Sequence, residues 1–272
     1  KIGPPTVPES DHHCSPMNSK RPLLGALASL VLLGSAATAD LLTGQRMQRE
    51  ISEAGDLQGE VIELQTKDGP LLAIHRRRQR GPGRGGIVLL HDRLGNADSE
   101  EAIRPLRLGL AEAGWDTLSL QLPIQPRSAE AGHDTGGSSA APLDGGMEWL
   151  KARDIDKLVL LAQGDRAGMA LQWAAAQRTQ ELSALILLSA PLASPPGDDL
   201  RSSLRASGLP VLDIYAERDY PPVIATAPNR SMLGIDNPAY RQRVLSDTTS
   251  GFFGAEQELI DSIRAWLSAN VQ

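Results

Sequence analysis

From residue 59 onward, short apolar runs alternate with stretches of helical period. Gly59–Leu64 and Leu71–His75 flank a Lys67-Asp68-Gly69 turn, which predicts a β-hairpin. Gly86–Leu90 is a continuous apolar run of the kind a strand buried on both faces requires. Glu100–Ala113 carries a helical period and stops at Gly114, a C-terminal signal. Trp115–Leu120 predicts the next strand, Met147–Arg153 a helix, Lys157–Ala162 a strand and the Ala-rich Arg166–Gln177 a helix. Ala184–Ser189 and Val211–Tyr215 predict further strands, Gln242–Leu245 a last short one, and Glu256–Ala269 a closing amphipathic helix. Strands alternating with helices imply βαβ units: a mostly parallel sheet, helices on both faces, and the hairpin as an antiparallel edge. Residues 123–146, rich in Pro, Gly, Ser and Ala, are the one long irregular insert that this pattern leaves.

The first forty residues follow another grammar. Residues 1–16 are polar and Pro-rich and read as an extension upstream of the biological start at Met17. Lys20 and Arg21 form a positive segment, Leu23–Leu33 an apolar core of eleven residues, and Ala37-Thr38-Ala39 a small-x-small site before Asp40. These are the three parts of a secretory signal in order, so residues 17–39 are expected to be removed after Ala39. The apolar core is shorter than the roughly 20 residues needed to span a bilayer. A retained membrane anchor is the alternative. The expected mature chain is one domain, residues 40–272, exported to the periplasm of a Gram-negative bacterium.

Composition narrows the function. The chain carries 27 Lys+Arg against 33 Asp+Glu, a net charge of −6, and only 3% aromatic residues. That balance excludes a nucleic-acid surface, which needs a basic footprint and stacking platforms. The one cysteine, Cys14, lies upstream of the signal. A disulfide framework, a Cys-based zinc cluster and a lipid anchor on a mature cysteine are all excluded with it. No metal or other cofactor is implied.

In sequence, the order is hairpin, GIVLLHDRLGN, helix, WDTLSLQLP, insert, KLVLLAQGDRAGMALQWA, ALILLSAP, LPVLDIYAERD, QRVLSD and closing helix. This resembles the α/β-hydrolase fold over residues 57–269. More narrowly, RPLRLGLAEAGWDTLSLQLP (Arg104–Pro123), LPVLDIY (Leu209–Tyr215) and NPAYRQRVL…AEQELIDSIRAWL (Asn237–Leu267) resemble a bacterial family of hydrolase-like proteins of unknown function. The resemblance implies exported proteins with a degraded hydrolase site.

The hydrolase pattern can be followed residue by residue. Its nucleophile sits on a tight strand-to-helix turn, G-x-S-x-G, and the acid and histidine come later in the chain. Here that turn is Ala162-Gln163-Gly164-Asp165-Arg166-Ala167, and Gly164 stands at the nucleophile position with no side chain to attack. Asp165 is one residue late and reads as the N-cap of the next helix. Asp219, after Val211–Tyr215, matches the acid position, or else makes a local Asx turn or pairs with Arg218. The histidine position falls near Gly251. The histidines are His12, His13, His75, His91 and His133, so none follows residue 133 and no triad in the usual order is possible. Without a general base, a serine hydroxyl is a poor nucleophile at neutral pH.

His91 ends the strand Gly86–Leu90, where hydrolases often carry a His-Gly oxyanion loop; here Asp92 takes the glycine's place and stands against close approach of an oxyanion. Three functions are therefore expected in turn. The first is a non-catalytic protein binding a small anionic or acyl ligand. The second is an esterase with a rearranged site of His91, Asp165 and Asp219. The third is a structural partner of another envelope protein. Gly81-Pro82-Gly83-Arg84-Gly85-Gly86 fits G-x-G-x-x-G but precedes a strand, so it predicts a flexible loop rather than a phosphate cradle. The basic run His75-Arg76-Arg77-Arg78-Gln79-Arg80 has the charge to meet anionic head groups or nucleic acid, but the acidic balance of the chain favours a solvated strand end.

Overall fold

The computed structural model describes residues 57–123, 139–174, 182–192, 208–235 and 237–271, with isolated positions 3, 49, 51, 176 and 202 besides. The signal segment, its cleavage site and most of the insert lie outside the described residues. Eight strands form one sheet: β1 (Glu60–Thr66), β2 (Gly69–Arg76), β3 (Gly85–Leu90), β4 (Trp115–Leu120), β5 (Leu158–Gln163), β6 (Ala184–Leu188), β7 (Val211–Arg218) and β8 (Tyr240–Thr249). Their spatial order is β1-β2-β4-β3-β5-β6-β7-β8. β1 and β2 pair antiparallel, as do β2 and β4, and every later pairing is parallel. Five α-helices accompany them among the described residues: α1 (Ile103–Glu112), α2 (Ala141–Lys151), α3 (Arg166–Trp173), α4 (Pro221–Ser231) and α5 (Glu256–Asn270). This is the mixed, mostly parallel α/β architecture expected from the sequence.

The continuous apolar runs are explained by burial on both faces. Within β3 and β5, alternate residues point to opposite sides. Val88, Leu90 and Leu160 join Leu143, Met147 and Leu150 of α2 and Met169 of α3 in one core. Ile87, Leu89, Val159 and Leu161 join Ile103, Leu106 and Leu110 of α1 and Leu259, Ile263 and Leu267 of α5 in the other. A strand clad on both sides needs no polar alternation, so its sequence is apolar throughout.

The structure differs from the sequence reading at three elements. α2 begins at Ala141, inside the segment read as irregular. Ser139 Oγ accepts the Ala141 N–H at 3.1 Å, and a proline sits in the first turn, where its missing N–H costs nothing. Gly145 and Gly146, which suggested a loop, lie in this helix where it closes on Thr66 and Leu120. α4, from the stretch PPVIATAPNRS, was not anticipated, because an internal proline, Pro228, normally argues against a helix. β8 runs well beyond Gln242–Leu245; it is an edge strand, and its exposed polar residues hide it from a search for apolar runs.

α4 is held by a buried ion pair. Arg230 Nε donates to Asp213 Oδ2 at 2.8 Å, and both side chains are fully buried. The same oxygen accepts Tyr240 Oη–H at 2.9 Å and Gln242 Nε2–H at 2.8 Å, while Arg230 Nη1 donates to the carbonyls of Ala190 and Val223. Burial and the neighbouring Asp213 carboxylate keep the Tyr240 phenol protonated. The pair thus ties α4, β6, β7 and β8 together. Removing one member strands the other charge out of water, which costs about 3–5 kcal/mol. Arg230→Met is accordingly expected to lower unfolding free energy in urea by about that amount; a change under about 1 kcal/mol would contradict this arrangement.

Candidate functional site

The parallel strands deliver their C-terminal ends to one edge of the sheet, where α/β sheets place their ligands. β5 ends there at Gln163, and the chain turns sharply through Gly164 and Asp165 into α3. Gly164 has φ +59, the left-handed conformation of a strained strand-to-helix elbow. Its N–H donates to the Leu188 carbonyl at 2.8 Å, and its carbonyl accepts the Ala167 N–H at 3.1 Å. The elbow is present in full geometry, and only the attacking side chain is missing.

That space is filled from across the cleft. A Cβ built on Gly164 would overlap Asp92 Oδ1 and Cγ, well inside the 3.0 Å that real Cβ contacts essentially never breach. Asp92 Oδ1 accepts the Arg93 N–H at 2.7 Å and the Asp165 N–H at 3.1 Å. In a working hydrolase the backbone N–H after the nucleophile and one from the loop after the third strand form the oxyanion hole. Asp165 and Arg93 hold those two positions. The protein's own carboxylate therefore sits on the donors that would stabilise a reaction's oxyanion, and against the site from which a nucleophile would attack. Asp92 is itself fixed, since its carbonyl accepts the Gly95 N–H at 2.9 Å and the His91 Nδ1–H at 2.6 Å.

The remaining candidates are engaged separately. His91 is fully buried. Its Nε2 accepts the Leu122 N–H at 3.0 Å, which leaves the proton on Nδ1, where it is donated to the Asp92 carbonyl. With both ring nitrogens committed, the imidazole has no lone pair for a substrate. Burial, aided by the nearby Arg166 charge, pushes it down to about 4 from an ordinary 6.5. Asp165 sits at the N-cap position of α3 but makes no side-chain capping bond. This corrects the capping expectation: its half-exposed carboxylate accepts from Arg93 Nε at 3.2 Å, and Asp92 caps the helix instead.

Asp219 Oδ2 accepts Ser189 Oγ–H at 2.6 Å and the Ala216 N–H at 3.0 Å, and Oδ1 accepts the Tyr220 N–H at 2.8 Å. Arg218 turns instead to the Asp247 carbonyl, so the alternative of an Arg218–Asp219 pair does not form. Ser189, with φ +49 at the end of β6, donates to the Asp219 carboxylate, and among the described residues no hydrogen bond joins it to an imidazole. Gly251 occupies the turn after β8, where Phe252, with φ +56, drops fully buried into the core. His75 lies on β2 against Trp149, 3.4 Å from Asp116 Oδ1, and its burial lowers its pKa. His12, His13 and His133 lie outside the described residues. No hydrogen bond joins the side chains of His91, Asp165 and Asp219 to one another: His91 is held by the Asp92 carbonyl and Leu122, the Asp165 carboxylate by Arg93, and Asp219 by Ser189, Ala216 and Tyr220. Among the described residues no group of three or more His, Cys, Asp or Glu could hold a metal ion, and no helix is long and apolar enough to cross a membrane.

What the sequence reading missed is the work Asp92 does. The signal was available as a coupled pair of departures: an aspartate where the loop normally has glycine, and a glycine where the elbow normally has a side chain.

Sheet order, elbow and loop define an α/β-hydrolase fold. Solved structures with that fold are similar to it. An esterase of Pyrococcus furiosus, Pf2001, superposes with a TM-score of 0.63 at 15% identity, covering 80% of this chain and 95% of its own. An α/β serine hydrolase homologue from Coxiella burnetii gives 0.59 at 17% identity, covering 76% and 96%. A serine hydrolase without a lid from Xanthomonas campestris gives 0.57 at 17% identity, covering 78% and 94%. No curated protein matches the chain. The sequence matches the family described as "Protein of unknown function (DUF3530)" over residues 42–141 and 126–269, and the chain belongs to that family.

The His91 network carries a pH signature. Unfolded, the imidazole takes its proton near pH 6.5; folded, not until about pH 4. Its contribution to stability is complete above 6.5 and is withdrawn as the pH falls from 6.5 towards 4, by about 3 kcal/mol in all. Urea titrations across that window should show a loss about 3 kcal/mol larger in the native protein than in His91→Gln, where the lowered pKa of His75 remains.

Proposed function

We propose that this protein is a non-catalytic α/β-hydrolase-fold protein, exported to the bacterial envelope, that works by binding rather than by acyl transfer. The observation that carries the reading is the Asp92 carboxylate on the Arg93 and Asp165 amides. An acyl substrate needs those donors for its developing oxyanion, and removing even one such donor from a working enzyme costs two to three powers of ten in rate. Here both are engaged by an anion that cannot leave. The absence of a nucleophile at Gly164 and the sealed imidazole of His91 support the same conclusion from the other two roles of a triad.

A small anionic or acyl ligand was the first expectation, and the amides of an elbow at a helix N-terminus are the groups that would hold it. Because Asp92 already occupies them, the old cleft is a poor anion site, and binding by its apolar rim has more in its favour. Leu94 after β3, Tyr220 after β7 and Phe253 after β8 each stand 60% or more exposed on loops at this end of the sheet. Exposed apolar side chains at one end of the sheet favour a partner or acyl chain over a charged ligand. This observation favours the second reading, a structural role beside another envelope protein. Export rests on the Lys20-Arg21, Leu23–Leu33 and Ala37-Thr38-Ala39 grammar and on the cysteine-free chain after residue 39.

The test is a serine-reactive fluorophosphonate probe with a panel of short- and long-chain acyl esters. The purified protein is expected to take no label and to turn over no ester above buffer, with or without His91→Ala. Labelling of Ser189, or ester hydrolysis that falls in His91→Ala, would reverse the proposal.

A further inference from the structure

A second concave site lies at the opposite end of the sheet, where the parallel strands begin. The loop before β3, the start of β5, the end of α1 and the end of α5 border a half-open depression of about 530 Å³. Arg80, Arg84 and Lys157 line it, with Glu112 as the one facing carboxylate and Ser268 on α5. These are the basic run and the Gly-Pro-Gly-Arg loop that the sequence offered separately, as a solvated strand end and a flexible linker. Folding brings them together around one volume.

The loop is pinned rather than loose. Gln79 N–H donates to the Ala111 carbonyl at 2.9 Å, Arg84 N–H to the Gly114 carbonyl at 3.0 Å and Gly86 N–H to the Lys157 carbonyl at 2.8 Å. Two glycines with positive φ permit the close approach. Gly85, at φ +147, lies where a Cβ would overlap the Lys157 carbonyl and the Trp115 ring. Gly114, at φ +98, would put a Cβ 3.3 Å from the Arg80 carbonyl and 3.5 Å from Arg84 Cδ. Arg84 Nη1 also reaches Ser268 Oγ at 3.4 Å, which orients it across the depression.

Among the described residues the cations here form no ion pair, and only Glu112 and the C-terminal ends of α1 and α5 face them. Elsewhere arginines find carboxylates: Arg78 with Asp116, Arg93 with Asp165, Arg104 with Asp98, Arg230 with Asp213. Among the described residues no ion pair engages Arg80, Arg84 or Lys157. Three cations against one carboxylate make a local excess of positive charge on a chain whose net charge is −6. Concave walls concentrate such a field, and an Arg fork with a Lys point charge matches the oxygens of a phosphate. A depression of this volume exceeds a bare phosphate and accommodates one carrying an organic substituent.

We infer that the Arg80–Arg84–Lys157 depression is a binding site for a phosphate-bearing ligand. It goes beyond the function proposed above and does not depend on it: a protein that proved to hydrolyse esters would still carry this pocket. The phosphate could belong to a soluble phosphomonoester or to a phospholipid headgroup, and the test separates the two. Calorimetric titration of the full chain with glycerol phosphate is run beside titration with sodium acetate. Co-sedimentation with phosphatidylglycerol vesicles is run beside phosphatidylcholine vesicles. The variant Arg80→Ser/Arg84→Ser/Lys157→Ser removes the site. A matched variant, Arg241→Ser/Arg243→Ser/Arg264→Ser, removes the same charge elsewhere. If the first variant fails to fold, the single exposed change Lys157→Glu replaces it. The expected result is binding to glycerol phosphate, to phosphatidylglycerol or to both, weakened at least tenfold in the site variant and less than threefold in the matched one. Binding in the first arm alone assigns a soluble ligand, and in the second alone a lipid headgroup. No binding in either arm, acetate binding as well as glycerol phosphate, or equal loss in both variants would overturn the inference.

Discussion

The Asp92 carboxylate, held on the backbone amides of Arg93 and Asp165, is the contact on which the C-terminal edge of this sheet depends. A strand-to-helix elbow in the left-handed conformation leaves amide groups pointing into a cleft, and those groups must find a partner. In an enzyme they are kept for the transition state. Here a side chain from the neighbouring loop satisfies them permanently, and the glycine at the elbow is what gives it room. The same residue's carbonyl holds His91 in one tautomer, so in the proposed function a single position would close the oxyanion hole, block the nucleophile's place and withdraw the imidazole.

The fold does not depend on these contacts, because its stability is generated elsewhere. The two cores on either face of the sheet, and the buried Asp213–Arg230 and Asp98–Arg107 pairs, involve none of Asp92, Gly164 and Asp165. Arg107 of α1 also donates to the Leu57 carbonyl at 2.8 Å and so secures the chain just before β1. A sheet wrapped by helices keeps its shape whatever stands at the end of β5, which is why an α/β-hydrolase fold by itself says little about activity.

The central strands were legible in the sequence because doubly buried strands are written in one continuous apolar alphabet: Trp115–Leu120 matches β4 residue for residue. α4 and the first half of α2 were not, because both use residues whose local preference runs against a helix, Pro228 in one and the Gly145-Gly146 pair in the other. Tertiary contacts decide there: Arg230 reaching Asp213, and a close approach to Thr66 and Leu120. At the site, Gly164 on the turn after β5 and the lack of any histidine after residue 133 are plain in the sequence. The role of Asp92 is not, because it depends on two residues 72 positions apart in sequence, Asp92 and Gly164, meeting across the cleft. The cationic depression was hidden for the same reason, with Lys157 far along the chain from Arg80 and Arg84.

A double-mutant stability cycle on Gly164→Ser and Asp92→Ala tests the exchange of side chains across the cleft most directly. If Asp92 fills the nucleophile's space, the serine is costly beside the aspartate and much less so beside the alanine, giving a coupling of about 1 kcal/mol or more in urea unfolding. Costs that simply add, within about 0.5 kcal/mol, would show that the two positions do not compete and would contradict the account.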